Sequence, residues 1–479
     1  MELPKQGKSR AAITATLEEY RSGDLKWKTG RAFGYVYDPG HQAMDIGKEV
    51  YASFLTENAL DPTAFPSLQR LENEVVGMAR RQVNGDEDVV GTFTSGGTES
   101  IILALKTARE WAKQNKPHIK APEMVVCATA HAAFHKAAYY LGIKTVMTPF
   151  EKDTYRVDVA AMRAAMTPNT ILIVGSAPSY AHGVVDPIPE IAALAQQAGI
   201  LCHVDGCVGA WLLPYFRRLG GTFPEFDFKV PGVTSMSMDL HKYAFAPKGA
   251  SVVLYKNAAL RRHQIYACSS WVGYSVVNAA VQSSKSGGPM AAAWAVLNAL
   301  GDEGYLDIAR AMKEATRGLA EGIGRIPGLR VLGRPDFSMV AFASDTANVF
   351  HIIDEMTTRS WYVQPQFNRS GSPANIHLSV GPTNAPWVEA FLKDLRESVE
   401  VAKTLPVSEL ATGMEAMFKT MDPADVSDET ITQMMGMAGA GEGGALPQRR
   451  AEVNQILSAM PPALVERALC EFVNKMFRG

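Results

Sequence analysis

Lys242 closes the run Ser237-Met238-Asp239-Leu240-His241-Lys242, and a primary amine at the end of a β-rich stretch can bond covalently to a carbonyl compound. By itself, a lysine beside a histidine is equally an ordinary surface residue. Two other strand ends carry polar groups. His203-Val204-Asp205 ends an apolar run with a carboxylate, which is costly to bury without a partner. A helix cap, a basic side chain or a cationic ring nitrogen would each supply one. Thr94-Ser95-Gly96-Gly97-Thr98-Glu99-Ser100 reads as a strand-to-helix turn with Thr98 at the N-cap. Its glycines let the backbone approach an anion, and the free N–H groups and helix dipole favour a phosphate. A tight turn would use the same glycines, and the Lys-Ser/Thr of a P-loop is missing.

The combination narrows these alternatives. Pyridoxal 5′-phosphate (PLP) asks four things of a protein: an amine for a Schiff base, an anion cradle, a carboxylate that keeps the pyridine nitrogen protonated, and a flat group against the ring. Lys242, the Gly96-Gly97-Thr98 turn, Asp205 and His131 answer these needs in turn. Each falls at or near the C-terminal end of a predicted strand, where open α/β sheets bind their ligands.

The elements that must position these groups are short. β-rich runs are expected at Val89–Thr94, Met124–Ala128, Thr170–Gly175, Leu201–Val204, Val233–Met238 and Ser251–Tyr255. Helical periods alternate with them, such as Ile101, Leu105, Ala108 and Ala112, or Ile191, Leu194 and Ala198. This predicts an α/β domain with a large, mainly parallel sheet. The domain reading is an N-terminal arm over residues 1–60, the large domain over 61–310 and a smaller C-terminal α+β domain over 311–405. That small domain uses the runs Leu329–Leu332, Ser338–Phe342 and Ile376–Val380. Residues 406–479 form a helical tail. Two short helical stretches precede a Gly-rich linker (Ala438–Pro447), and an amphipathic pattern of Val453, Ile456, Leu457, Met460, Leu464 and Leu469 follows. A tail docked on the body or on a sister subunit is the favoured reading.

Composition excludes several classes. The chain has 479 residues, and its net charge of -2 provides no global field for nucleic acid or an anionic membrane. Five cysteines without a C-x-x-C pair argue against a disulfide framework or a zinc ribbon. Cys202, His203 and Cys207 lie close together but lack zinc spacing, so no metal is expected. No secretory signal and no membrane-length apolar segment is visible, and a cytoplasmic location is the expectation.

Four stretches carry a resemblance to a known family: Thr94–Ser100, His131-Ala-Ala-Phe-His-Lys-Ala-Ala138, Ala181-His182-Gly183-Val184-Val185-Asp186-Pro187, and His241-Lys242-Tyr243-Ala-Phe-Ala-Pro247-Lys248-Gly249. Gly34–Tyr37 and Phe65–Leu68 extend it. The chain resembles the group II PLP-dependent decarboxylases of the fold type I transferase class. Within them it is most similar to the branch that cleaves sphingosine 1-phosphate. The resemblance covers roughly residues 30–400 and implies the following roles. Lys242 forms the Schiff base, His131 stacks on the pyridine and Asp205 pairs with its nitrogen. Gly97, Thr98 and His241 hold the phosphate. Gly287-Gly288 completes the phosphate site from a neighbouring subunit, which makes the active unit a homodimer. Tyr37, Tyr180 and Lys248 line the substrate side. The implied reaction is retro-aldol cleavage of a phosphorylated long-chain amino alcohol to a fatty aldehyde and phosphoethanolamine. Tyr180, Lys242 and Lys248 are candidates for handling protons. The alternative is decarboxylation of an amino acid on the same cofactor site.

Two departures bear on the substrate. Asn58-Ala59-Leu60-Asp61-Pro62 stands where that branch has Asn-x-x-His-Pro, and Lys285-Ser286 replaces Arg-Pro before the glycines. A carboxylate facing the substrate phosphate would be repelled by roughly 4 kcal/mol per unit-charge pair at 4 Å.

Overall fold

The alternating runs fold into one seven-stranded sheet. The structure, a computed structural model, describes residues 2–406, 408–437 and 449–477; the expected linker Ala438–Pro447 lies outside the described residues. The strands are β1 (Val90–Thr94), β2 (Glu123–Cys127), β3 (Lys144–Thr148), β4 (Thr170–Ser176), β5 (Leu201–Asp205), β6 (Ser235–Asp239) and β7 (Ser251–Tyr255), in the order β1-β7-β6-β5-β4-β2-β3. Every pairing from β6 through β5, β4 and β2 to β3 is parallel, and β7 runs antiparallel to both β1 and β6. Strands β2, β4, β5, β6 and β7 are buried along their whole length, and the centres of β2, β4 and β7 read as continuous apolar runs for that reason. Edge strand β3 is mostly half-buried or exposed and carries no such run, so its sequence does not announce it.

Helices flank the sheet. The helix Gly97–Asn115 buries Ile101, Leu105, Ala108 and Ala112 in a core shared with Met124, Val126 and Leu172 of the sheet. The helix Ile188–Ala198 buries Ile191 and Leu194. Ala198, expected on the same face, is exposed instead, because left-handed Gly199 ends the helix there. The 37-residue helix Gly288–Gly324 is broken at Gly301, whose φ of 59° is left-handed.

The chain divides into two compact units. One holds residues 35–342 and 377–388, including the whole seven-stranded sheet; the other holds 1–34, 343–376 and 389–479. In the second unit the tail forms a core of its own, in which Met414, Phe418, Ile431, Ile456, Met460 and Leu464 are buried together. The amphipathic pattern spans two helices, Ala451–Ala459 and Pro462–Met476, and the break between them leaves Leu469 half exposed. The guanidinium of Arg369 donates to the carbonyls of Leu457 (2.6 Å) and Met460 (3.0 Å) at the end of the first of these helices. Asp354 accepts the backbone N–H groups of Arg450 and Ala451 at its start. Among the described residues, no helix is long and apolar enough to cross a membrane.

Candidate active site

Strand register brings the polar strand ends together. Asp205 pairs with Ser176 on one side and Ser237 on the other, and Asp239 is level with Ser251, which is level with Thr94. Asp205, Asp239 and the Ser95–Thr98 turn therefore share the C-terminal edge of the sheet. They line a cavity of about 400 Å³ together with His131, Tyr180, His241 and Lys242.

The turn is built for close approach. The helix begins at Gly97 with Gly96 as its cap, so Thr98 lies inside the first turn rather than at the cap the sequence predicts. A Cβ on Gly97 would stand 2.8 Å from both carboxylate oxygens of Asp239 and from Cys207 Sγ, so only glycine fits. Glu99 stiffens the turn. One of its oxygens accepts from the N–H (2.6 Å) and hydroxyl (2.7 Å) of Ser95, and the other from the N–H of Val281 (2.6 Å).

Lys242 ends this edge as an ion pair. Its Nζ lies 2.9 Å from Asp239 Oδ2, with the side chains 20% and 2% exposed. Burial penalises both charges, but their mutual attraction outweighs it. Asp239 is held below the usual carboxylate range and Lys242 above the usual lysine range. Asp239 Oδ1 is buried without a hydrogen-bond partner. Asp239 stands three residues before Lys242 in the same run, yet sequence reasoning assigns it no role.

Asp205 is buried and accepts the N–H of Cys207 at 3.1 Å. His203 behind it is a satisfied core residue, with ring nitrogens 2.9 Å from Ser235 Oγ and 3.2 Å from Ser237 Oγ. Burial holds it near 4, hence neutral. Among the described residues no group of three or more His, Cys, Asp or Glu side chains could hold a metal, and all five cysteines are free. His131 accepts the N–H of Ala133 on Nδ1 at 3.1 Å, which fixes its ring at the cavity.

Tyr37 and Lys248 form a second layer. Tyr37 packs edge-on against Tyr243 at 4.7 Å, and burial, partly offset by the charge of Lys242, raises its hydroxyl to about 12. Lys248 Nζ sits 4.7 Å from the Tyr37 ring centre and donates to the His241 carbonyl at 3.3 Å. Lys248 keeps solvent-exposed surface, yet lost hydration at the ammonium and the charge of Lys242 lower it to about 8. Tyr180 stacks on His377, a residue nothing in the local sequence singles out.

Four expected site residues do not line the cavity: Tyr37 and Lys248, which stand beside it, and the glycines Gly287 and Gly288. The two glycines open the long helix, where side chains would collide with Leu68 (2.6 Å) and the Tyr51 carbonyl (2.8 Å). The segment before them is joined to the one that ends at Asp61: the Ala59 N–H donates to the Lys285 carbonyl (2.8 Å) and the Gly287 N–H to the Glu57 carbonyl (2.8 Å). The two departures from the family pattern are thus structural neighbours. Asp61 itself is exposed, and its carboxylate is turned onto Thr63, accepting the N–H (2.8 Å) and the hydroxyl (2.6 Å). These hydrogen bonds lower its pKa.

These residues fit PLP. The glycine turn leaves room that a side chain would fill, the Lys242 amine is paired there with one oxygen of a carboxylate whose other oxygen is orphaned, and a second carboxylate at the end of β5 and a flat ring beyond β2 line the same cavity.

Comparison with known proteins agrees. Residues 25–344 match the pyridoxal-dependent decarboxylase conserved domain. Residues 412–475 match a model for the C-terminal domain of pyridoxal-dependent enzymes, a helix-turn-helix candidate. The chain is 40% identical to a sphingosine-1-phosphate lyase of Arabidopsis thaliana over 402 residues, 82% of this chain and 73% of that one. A solved sphingosine-1-phosphate lyase of Burkholderia pseudomallei superposes with a TM-score of 0.81 at 36% identity, covering 88% of this chain and 97% of the other. A probable L-aspartate decarboxylase of Pyrococcus furiosus is 32% identical over 361 residues, 75% of this chain and 94% of that one.

Proposed function

The chain belongs to the pyridoxal-dependent decarboxylase family, and we propose that within it the protein is a carbon–carbon lyase. Its substrate is a phosphorylated long-chain amino alcohol of the sphingosine 1-phosphate type, and its products are a fatty aldehyde and phosphoethanolamine. The observation that carries this reading is the second lysine. Retro-aldol cleavage must remove a proton from the hydroxyl beside the breaking bond, whereas decarboxylation has no such proton to remove. Lys248, lowered to about 8 beside Lys242, fits that task.

Bound PLP supplies an electron sink for the pair freed when the Cα–Cβ bond breaks. Lys242 would provide the amine that attaches it covalently. Asp205 would keep a proton on its ring nitrogen, and His131 would present a flat face to the ring. Backbone N–H groups at Gly97 and Thr98, with Gly96 giving clearance and His241 alongside, would hold its phosphate. Lys248 takes the proton of the substrate hydroxyl. Tyr37 stays protonated to about pH 12 and donates a hydrogen bond on that side, and Tyr180 faces the same space.

A homodimer is part of this reading. Gly287 and Gly288 complete the phosphate site of a second copy, which accords with their lying outside the cavity of their own chain. Because Asp61 is engaged by Thr63, it is spent on its own turn rather than directed at a phosphate. The tail serves architecture. Residues 406–479 carry ten Asp and Glu against six Lys and Arg, the wrong sign for a nucleic-acid groove.

The test is to offer the PLP-loaded protein sphingosine 1-phosphate and, separately, aspartate or glutamate. Aldehyde from the first and no carbon dioxide from the others is expected. Carbon dioxide without aldehyde would replace the lyase with a decarboxylase.

A further inference from the structure

We propose that His377 is a positioning residue for Tyr180, holding the phenol by ring stacking in the orientation that presents it to the cofactor cavity. The inference rests on the reading of that cavity as the reaction site.

His377 lies in the strand Asn375–Ser379, all of whose residues are buried, and is itself 0% exposed. Its ring centre is 4.4 Å from that of Tyr180, and the planes are 29° apart. Ser379 stands two residues on, hence on the same face of the strand, and its Oγ lies 3.0 Å from His377 Nε2. The imidazole is therefore fixed from behind while its face meets the tyrosine. Burial, with the nearby His182, lowers its pKa to about 3, so the ring stays neutral wherever the enzyme works. A neutral ring presents a flat face without becoming a competing acid.

Tyr180 stands in the loop Pro178–Gly183 after β4, where the Gly183 N–H donates to the Ser179 carbonyl at 2.9 Å. That turn fixes the backbone, and the His377 ring packs against the phenol. Tyr180 also lies close enough to Tyr37 and Tyr243 to influence their ionisation. A misplacement of about 1 Å at such a group can cost on the order of 100-fold in rate.

The test is a double-mutant cycle in the PLP-loaded protein, read as kcat, KM, cofactor affinity and Tm. H377A is expected to lower kcat roughly 10- to 100-fold, with KM and PLP affinity within about twofold of wild type. H377F, which keeps a flat ring, is expected to restore most of the loss. In a Y180F background H377A should add nothing, because the hydroxyl being positioned is gone. His377→Leu fills the space without a flat ring and gives the same contrast should the alanine variant not fold. Losses that multiply in the double variant, or equal losses in H377A and H377F, would overturn the role and leave His377 a core residue. Unchanged turnover in Y180F would remove Tyr180 from the reaction, and the role of His377 with it.

Discussion

Replacing Lys242 with alanine removes more than a point of attachment. In the cofactor-free protein its ammonium neutralises Asp239 at 2.9 Å, and that carboxylate is 2% exposed with one oxygen already unpartnered. Breaking a buried pair by deleting one member typically costs about 3–5 kcal/mol. For a unit of this size that is a fall of on the order of 5–10 °C in Tm. The sign with pH follows from the ionisation of each partner. Asp239 is depressed, so its contribution is present above the ordinary carboxylate pKa of about 4 and is lost as pH falls through the depressed value. Lys242 is raised, so its contribution is complete below the ordinary lysine pKa of about 10.4 and is lost only as pH rises through the raised value. Between these limits the wild-type pair is constant. In the variant, burial acts on Asp239 without its counter-ion and raises it, so stability declines as pH climbs above about 4. Calorimetry of the cofactor-free proteins should therefore show a deficit that is large at pH 8 and smaller at pH 5.5. A variant matching wild type within about 1 °C at pH 8 would mean that the ion pair contributes less than about 1 kcal/mol and that Asp239 tolerates burial without Lys242.

Lys248 is lowered to about 8, so kcat/KM should rise as pH passes through 8, and K248Q should lose both that limb and most of its activity. Gly97→Ala sets a methyl 2.8 Å from Asp239 and Cys207. At about 1–3 kcal/mol for overpacking, PLP affinity measured by titration should fall roughly 5- to 150-fold. Arg369→Ala removes three hydrogen bonds to the end of the helix Ala451–Ala459, to the carbonyls of Leu457, Ser458 and Met460. Hydrogen exchange over residues 451–476 should quicken by one to two orders of magnitude, since charged hydrogen bonds are worth about 1.5–3 kcal/mol, while the sheet is unchanged.

Much of the sheet was legible because its strands are buried on both faces. Thr170–Gly175 and Ser251–Tyr255 read as strands from apolar content alone. The edge strand Lys144–Thr148 was not legible, because one that faces solvent carries no apolar run. Asp205 and Lys242 stood out as polar groups closing apolar runs. Asp239 was in view but unassigned, because only the register and the turn of the chain bring its carboxylate under Gly97 and against Lys242. His377 was not visible at all. It lies almost 200 residues from Tyr180, and its meaning comes from a stacking contact that no local pattern encodes. The amphipathic tail pattern is visible in the sequence, but its apolar spacing runs on through Met460-Pro461 and does not mark the break beyond which Leu469 is exposed.

The most direct measurement of the central claim is a product analysis by mass spectrometry. PLP-loaded wild type and K242A are each given sphingosine 1-phosphate. Equimolar long-chain aldehyde and phosphoethanolamine are expected from the wild type and neither from K242A. Wild type with bound cofactor that yields no aldehyde, or a K242A variant that turns over normally, would contradict that expectation.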